Sequence, residues 1–402
     1  MSSVLPSAFR RPAPDGAAAL PESALELART VLIRGPVSRR ELARDLKLSV
    51  ASLSRLGKPL LDAGLLVEGE LVVDGSVGRP VRLLDVRADS AHFLGVKVTG
   101  DFIQAVLTDL RATILASAAV PIADTSVEAV VAAIADLAGS LAGRYDVSLT
   151  GVGVSLGGQA VTGGVVRRAP YLDWRDVPLG TLLAGRLGLP VEVDNDVTAL
   201  AAAEQWFGAG RDAANFAVVT VGAGVGYGLV MCKGVVRTGD TGLGLGGHFP
   251  LDPNGPLCME GHRGCSTAML SIGSICSQIS ATVGRRVGYA EALELAAGGN
   301  RVAVAVFEAA ARALGRLIAA AANLTMVTTV VLGGEGVGMF APMEQVVRAA
   351  VAADRDPEAT PVEISVLSAD FTGWARGAAA VAIQAQAFVV AAPPAAGAAG
   401  HG

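Results

Sequence analysis

Residues 38–65 read SRRELARDLKLSVASLSRLGKPLLDAGL, and this run constrains the fold more than any other stretch of the chain. Ser38 and Glu41 have the S-x-x-E spacing of a capping box, in which each residue satisfies a free backbone donor of the other. A short helix is therefore predicted, with Leu42, Ala43 and Leu46 on one face. Lys47 and Leu48 make a turn. Ser49 can cap a second helix whose apolar stripe is Val50, Leu53, Leu56, Leu60 and Leu61. Ser49, Ser52, Ser54, Arg55 and Lys58 fall outside that stripe. Two short helices joined by a tight turn, the second with small polar and basic residues facing out, form the helix-turn-helix pattern. In that pattern the second helix lies in the major groove of DNA. Arg and Lys there can read guanine edges or hold phosphates, and Ser can do either. The competing reading is an ordinary helical hairpin with a solvated basic face. Pro59 sits inside the second helix, where it costs roughly 3 kcal/mol unless the helix kinks or ends. A kink is expected there.

The next residues favour the DNA reading. Residues 65–70 and 71–74 alternate as a short hairpin would, and Gly78-Arg79-Pro80 interrupts before residues 81–86. A helix pair followed by a small ribbon with an arginine at its tip predicts a winged helix over residues 23–87, with its first helix at 23–34. Arg79, held extended before Pro80, can enter a minor groove. Charge agrees. Residues 23–87 hold 11 Lys/Arg against 8 Asp/Glu, whereas residues 88–402 hold 19 against 27. The basic excess lies where phosphate contact requires it, and the acidic remainder keeps the rest of the chain off DNA.

Beyond residue 88 the pattern changes. The runs HFLGVKV, FIQAVLTDL and ATILASAAV predict three strands in a meander. A long helix is predicted over 127–145, strands over 149–155 and 190–194, and a helix over 197–207. Strands follow at 216–221 and 228–232. After Ser266 come helices over 268–283, 289–297 and 303–323, a strand over 327–332 and a closing helix over 373–388. This alternation is that of an α/β protein. A chain of 402 residues, 51% hydrophobic and 17% charged, has room for two or three domains with sizeable cores. Its apolar runs are interrupted by Gly, Pro or charge too often for a membrane span, and Arg10-Arg11 is not followed by a signal-peptide pattern. The four cysteines, Cys232, Cys258, Cys265 and Cys276, are too few for a disulfide framework, so a reducing cytoplasm is expected. Residues 1–22 and 391–402, rich in Ala, Pro and Gly or Ser, are expected to be disordered tails.

Several landmarks then carry a resemblance. They are APYLDW at 169–174, VDNDVTALAAAEQWFGAGR at 193–211, VGAGVGYGLV at 221–230, GGHFP at 246–250, CMEGHRGC at 258–265 and LGGEG at 332–336. With these motifs the chain resembles the ROK family of repressors, open reading frames and sugar kinases over residues 23–388. The resemblance implies a winged helix-turn-helix followed, over 88–390, by a two-lobed body of actin/hexokinase-like architecture. The second lobe would begin near residue 199, and the C-terminal helix would return to the first. In kinase members the position of Asp196 is the general base and that of Asn195 holds the sugar. Read from the residues alone, the same carboxylate could simply cap the helix that follows. Kinase members also carry a D-x-G-G-T loop for metal and phosphate. Lys97 stands at its Asp, and Asp101 ends the stretch, so the resemblance implies a body that has lost phosphoryl transfer.

The sugar site and the metal site also depart from the family. Tyr171, Leu245 and Thr267 replace an Asn and two Glu of the sugar site, while Asn195, Asp196 and His248 remain. The implied ligand set is Asn195, Asp196, His248, Tyr171 and Thr267. Members with a zinc site use a His and three Cys. Here His248, Cys258 and Cys265 fit, Glu260 stands at the middle cysteine, and His262 is a further possible donor. A structural zinc on His248, Cys258, Glu260 and Cys265 is expected, against two reduced cysteines in an ordinary loop. The function implied is a homodimer, or dimer of dimers, that reads an inverted repeat in double-stranded DNA and senses a sugar or sugar phosphate. The alternatives are a sugar kinase with an accessory DNA-binding head, and a regulator controlled by a protein partner.

Overall fold

The computed structural model describes residues 21–72 and 80–388. The head begins with α1 (Glu22–Arg34), β1 (Val37–Ser38), α2 (Arg39–Asp45) and α3 (Val50–Asp62). Ser38 caps α2 as its spacing predicts: its hydroxyl accepts from the Glu41 amide at 3.2 Å, and the Glu41 carboxylate accepts from the Ser38 amide at 3.0 Å. Leu27, Leu32, Leu42, Leu53 and Leu60 meet in one fully buried cluster. The helix α3 does not stop before Pro59 but runs on to Asp62. Pro59 is on the exposed face, where water can take the Arg55 carbonyl that loses its donor, and buried Leu60 anchors the next turn.

The wing differs from its predicted form. Glu70 and Leu71, the junction of the expected hairpin, do not form a turn, and residues 73–74 lie outside the described residues. Instead β2 (Val67–Val72) is one strand that pairs antiparallel with β3 (Val81–Asp85), completing a sheet of order β1-β3-β2. Glu70 and Leu71 offer no turn residue to reverse the chain. The interruption in the ladder is an irregularity between Glu68 and Leu71, at Gly69. Arg79 and the expected tails over 1–20 and 389–402 lie outside the described residues, whereas Glu22, assigned to the N-terminal tail, opens α1.

The body holds the same strand plan twice. A meander of β4 (His92–Val98), β5 (Phe102–Thr108) and β6 (Ile114–Pro121) is followed by α4 (Val127–Tyr145) and β7 (Leu149–Leu156). A small sheet of β8 (Gln159–Val161), β9 (Val165–Ala169) and β10 (Trp174–Val177) precedes α5 (Leu179–Leu187), β11 (Val191–Asn195) and α6 (Asp196–Phe207). The main sheet has order β11-β7-β4-β5-β6, its first three strands parallel. A second meander is β12 (Phe216–Val221), β13 (Val225–Met231) and β14 (Gly234–Val235). The helices α7 (Ser266–Leu270), α8 (Ile272–Val283), α9 (Tyr289–Ala297) and α10 (Arg301–Thr325) follow. Then come β15 (Thr329–Gly333), α11 (Phe340–Ala353), β16 (Glu363–Val366) and α12 (Thr372–Gln386). The second sheet, β14-β13-β12-β15-β16, repeats the order of the first, with β12, β15 and β16 parallel.

Where one helix was expected over 268–283 there are two. Ser271 leaves the helical region at ψ 143° and caps α8 by accepting from the Ser274 amide at 3.3 Å. Among the described residues no helix is long and apolar enough to cross a membrane.

The helix α12 returns to the first sheet and lies directly on β4 and β7. Its Ala375, Ala378, Ala379 and Ala382 are buried, and Gly95 and Gly153 let the backbones touch. A Cβ on Gly153 would sit 1.8 Å from the Ala378 carbonyl oxygen, and one on Gly95 2.0 Å from that of Ala375. Because the blocking atoms are backbone, the helix must move to admit a methyl group. Gly153→Ala should cost roughly 2–3 kcal/mol and lower the thermal midpoint. An unchanged midpoint by calorimetry would mean that α12 is not packed this closely.

Candidate functional site

On the head, the Ser49 hydroxyl accepts from the Ser52 amide at 3.1 Å and donates to the Ser52 hydroxyl at 2.9 Å, fixing the first turn of α3. Leu53, Gly57 and Leu60 face inward, while Ser54, Arg55 and Lys58 face solvent and Ser52 is half-buried. The other cations of the head are largely neutralised: Arg34 and Arg44 pair with Asp45, and Arg39 and Arg82 with Glu68. Arg55 and Lys58 have no carboxylate partner among the described residues. The expected reading face therefore keeps open charge, as do Arg40 and Lys47 elsewhere on the head.

In the body, the end of β4 meets the start of α6. Asn195 caps α6, its side-chain oxygen accepting from the amides of Val197 and Thr198 at 3.0 and 3.1 Å. Its side-chain nitrogen donates to the Gly158 carbonyl at 2.9 Å and to Asp196 Oδ1 at 3.1 Å. Asp196 Oδ1 also accepts from the Val197 amide at 2.9 Å. The other oxygen, Oδ2, is held by the Lys97 ammonium in an ion pair whose side chains are only 7% and 15% exposed. Lys97 Nζ also lies 5.1 Å from the centre of the Trp374 ring. Asn195 is thus the cap of α6, and Asp196 accepts from three donors within the fold. Asp194 is also buried and pairs with Arg237 at 2.6 Å. Burial pushes its carboxyl up, and the guanidinium pulls it back.

Tyr171 comes to the same place, since a Cβ on Gly157 would lie 3.4 Å from its ring and 3.5 Å from Asp196 Oδ2. Burial pushes the phenol above its ordinary range, and the carboxylates of Asp196 and Glu335 add to the shift. Glu335 gave no signal in the sequence reading beyond an acid inside a glycine run. It folds onto the glycine-rich turn after β12, where the Ala223 amide donates to Glu335 Oε1 at 2.7 Å. The chain supplies its own anion where such a turn would otherwise present a free N–H. Asp101 is exposed at the turn between β4 and β5, its amide donating to Thr99 Oγ1 at 3.2 Å. Thr267 donates its hydroxyl to the Gly247 carbonyl at 2.7 Å, and Leu245 is 71% exposed.

His248 belongs to a different cluster from Asn195 and Asp196. Its Nδ1 lies 3.2 Å from His262 Nδ1, 3.8 Å from Cys258 Sγ and 3.7 Å from Cys265 Sγ. Cys258 Sγ is 3.6 Å from His262 Nδ1. Donors about 2.0–2.3 Å from one tetrahedral ion would stand about 3.3–3.8 Å apart, so His248, Cys258 and His262, whose ligand atoms all lie within 4.8 Å of one another, could hold three corners of a zinc site, and Cys265 stands beside that group, close to His248. The turn is tight enough to do this because the Cys258 amide donates to the His262 carbonyl at 2.9 Å. Glu260 is not in the set. It turns outward, and its carboxylate meets His248 Nε2 at 3.2 Å, orienting the imidazole from behind. His262 takes the place expected of Glu260, because the turn places Cys258 and His262 side by side and leaves residue 260 at its tip. Burial opposes ionisation of Cys258, but amides of Glu260 and His262 and the side chains of His262 and Cys265 bring its thiol down to about 6. Burial raises the Cys265 thiol.

The ROK family model matches residues 93–385. The chain belongs to the ROK family. It is 30% identical over 246 residues to the DNA-binding transcriptional repressor Mlc of Escherichia coli, covering 60% of this chain and 61% of Mlc. It is 29% identical over 264 residues to a putative xylose repressor of Caldicellulosiruptor, covering 64% of this chain and 66% of that protein. The chain therefore spans just under two thirds of each. The crystal structure of a ROK family transcriptional regulator, a homologue of E. coli Mlc, superposes with a TM-score of 0.76 at 25% identity, covering 91% of this chain and 96% of that one.

Within this ROK body the ion pair makes a quantitative demand. Removing one partner of a buried pair strands the other charge, at about 3–5 kcal/mol. Lys97→Met should destabilise the body by that amount, and the double change Lys97→Met with Asp196→Leu should recover most of it. Denaturant unfolding of both variants measures the difference. Equal stability of Lys97→Met and the parent would show that the pair is not formed in solution.

Proposed function

We propose that this ROK protein is a DNA-binding transcriptional regulator of carbohydrate-related genes, with a kinase-shaped body that no longer transfers phosphate. The observation that carries the reading is the Lys97–Asp196 pair. Phosphoryl transfer works by positioning and by neutralising charge around the phosphates. The carboxylate at the position of the base is engaged by a lysine and two further donors, and Glu335 brings an additional negative charge to the glycine turn. The resemblance of the head-plus-body order to repressors of the family supports the same conclusion.

As proposed, two copies present α3 to an inverted repeat, with Ser49, Ser52, Ser54, Arg55 and Lys58 at the major groove and Arg79 in the minor groove. Asn195, Asp196 and Tyr171 face a sugar or sugar-phosphate effector, which acts only through its different affinity for two arrangements of the heads. One lone-pair position on Asp196 remains for a ligand hydroxyl, so binding can outlast catalysis. Cytoplasmic location follows from contact with DNA. Zinc held by His248, Cys258 and His262, with Cys265 turning in from beside His248 as the fourth donor, would tie the 258–265 loop to the turn before Phe249, a structural role.

Three measurements test this. In a mobility-shift assay on the promoter region beside its own gene, Arg55→Ala should weaken binding about tenfold, the loss of one good base or phosphate contact. The purified protein should leave ATP intact with glucose, N-acetylglucosamine or xylose; turnover at an enzymatic rate would overturn the regulator reading. Metal analysis should find about one zinc per chain, lost in His262→Ala and retained in Glu260→Ala. Loss in Glu260→Ala alone would restore the glutamate to the ligand set.

A further inference from the structure

We propose a second effector site at the seam between the head and the body, one that takes a small organic anion with an apolar, aromatic-sized frame. The seam encloses a cavity of about 460 Å³, within the ~300–1,000 Å³ usual for small-molecule sites. The head supplies Leu32 and Ile33 from α1. The body supplies Ile114 from β6, Trp206 and Phe207 from the end of α6, and Arg376 from α12. This cavity is formed by the far end of α6, about 18 Å of helix from Asp196.

Its chemistry is unlike that of a sugar pocket. The lining has three arginines, Arg111, Arg211 and Arg376, and no carboxylate or side-chain amide. Two of the arginines build the wall. Arg111 donates to the Gly35 carbonyl at 2.7 Å and pairs with Asp85. Arg376 donates to the carbonyls of Ala112 and Phe207 at 3.0 and 2.8 Å. Arg211 is different. Its side chain is 49% exposed, and it forms an ion pair with the still more exposed Asp212 at 3.7 Å, longer than a hydrogen bond, so its N–H donors can still turn to a ligand. Across the Trp206 ring, the Arg29 guanidinium sits 5.8 Å from the ring centroid. Arg29 Nε is buried with no hydrogen-bond partner among the described residues. A flat apolar body against Trp206, Ile33 and Ile114, with its anionic end on Arg211, fits this lining. A sugar would find only one side-chain acceptor there, the Thr113 hydroxyl.

The site also has a consequence for the head. Its walls come from both parts of the chain, so an occupant binds one seating of α1 better than another and shifts the equilibrium between them. This effect is separate from any ligand at Asn195 and Asp196, and it does not need DNA to be observed.

The probe is anilinonaphthalene sulfonate, an aromatic anion whose emission reports binding and accepts energy from tryptophan. The full chain should bind it with energy transfer that falls in Trp206→Phe, Trp374 supplying the remainder. Arg211→Glu should weaken binding at least fivefold, and Arg211→Lys should restore most of it. Saturating probe should slow amide exchange in α1 in the parent and not in Arg211→Glu. The proposal is overturned if the parent does not bind, if Arg211→Glu and Ile114→Asp both keep the parent's affinity, or if exchange in α1 ignores the probe.

Discussion

The body is organised around a charge pair that its own interior has to neutralise. Lys97 ends a central strand of the first sheet, Asp196 opens α6, and Trp374 of α12 covers the ammonium. Each of these elements would be placed differently if either charge stood alone, because an unpaired ion at this depth costs several kcal/mol. The pair therefore fixes the entry of α6, and α6 carries the consequences outward. In an enzyme the same carboxylate would have to exchange partners during each turnover. Here both of its oxygens are engaged in the resting fold.

From that start α6 runs as one rigid element to Trp206 and Phe207, which join the core of the head with Phe93, Leu110, Ala112, Ala382 and Ile383. Arg111 and Arg376 close the joint from two sides by donating to backbone carbonyls of the head and of α6. The head is thus not strung on a linker. It shares a core with the body, and a change at the N-terminus of α6 has a continuous packed route to α1. Such a route is a physical means of coupling only if the joint has two seatings of similar energy. The open cavity between α1 and the end of α6 is where a second seating has room.

The local code of the head was legible because each signal there is short-range. The Ser38–Glu41 box, the Ser49 cap and the leucine stripe of α3 need no distant partner to be interpreted. Some of the body's helices and buried strands were legible for the same reason: α4, α9 and β12 have the bounds their periodicity predicts, whereas α5 and α11 were missed. The duplication of the five-stranded plan was not, since it is a relation between pairings and leaves no sequence repeat. The small sheet β8–β10 and the strand β16 were missed because three to five half-buried residues carry too little alternation to stand out. The wing failed on register. Alternation continued through Glu70 and Leu71, and only the pairing with β3 shows that the run is one strand.

The 258–265 loop shows how a motif can point to a cluster of donors and misplace one of its members. Alignment to a His and three Cys put Glu260 at the missing cysteine, and a carboxylate is an acceptable zinc ligand. The backbone decides otherwise. With the Cys258 amide bonded to the His262 carbonyl, the turn closes on itself and residues 258 and 262 become neighbours. Residue 260 is left at the apex, from which a carboxylate can reach only the outer nitrogen of His248. The substitution therefore moves a ligand by two positions and converts the old position into its support. A ligand read from sequence spacing is a statement about backbone geometry, and one hydrogen bond across a five-residue turn is enough to reassign it.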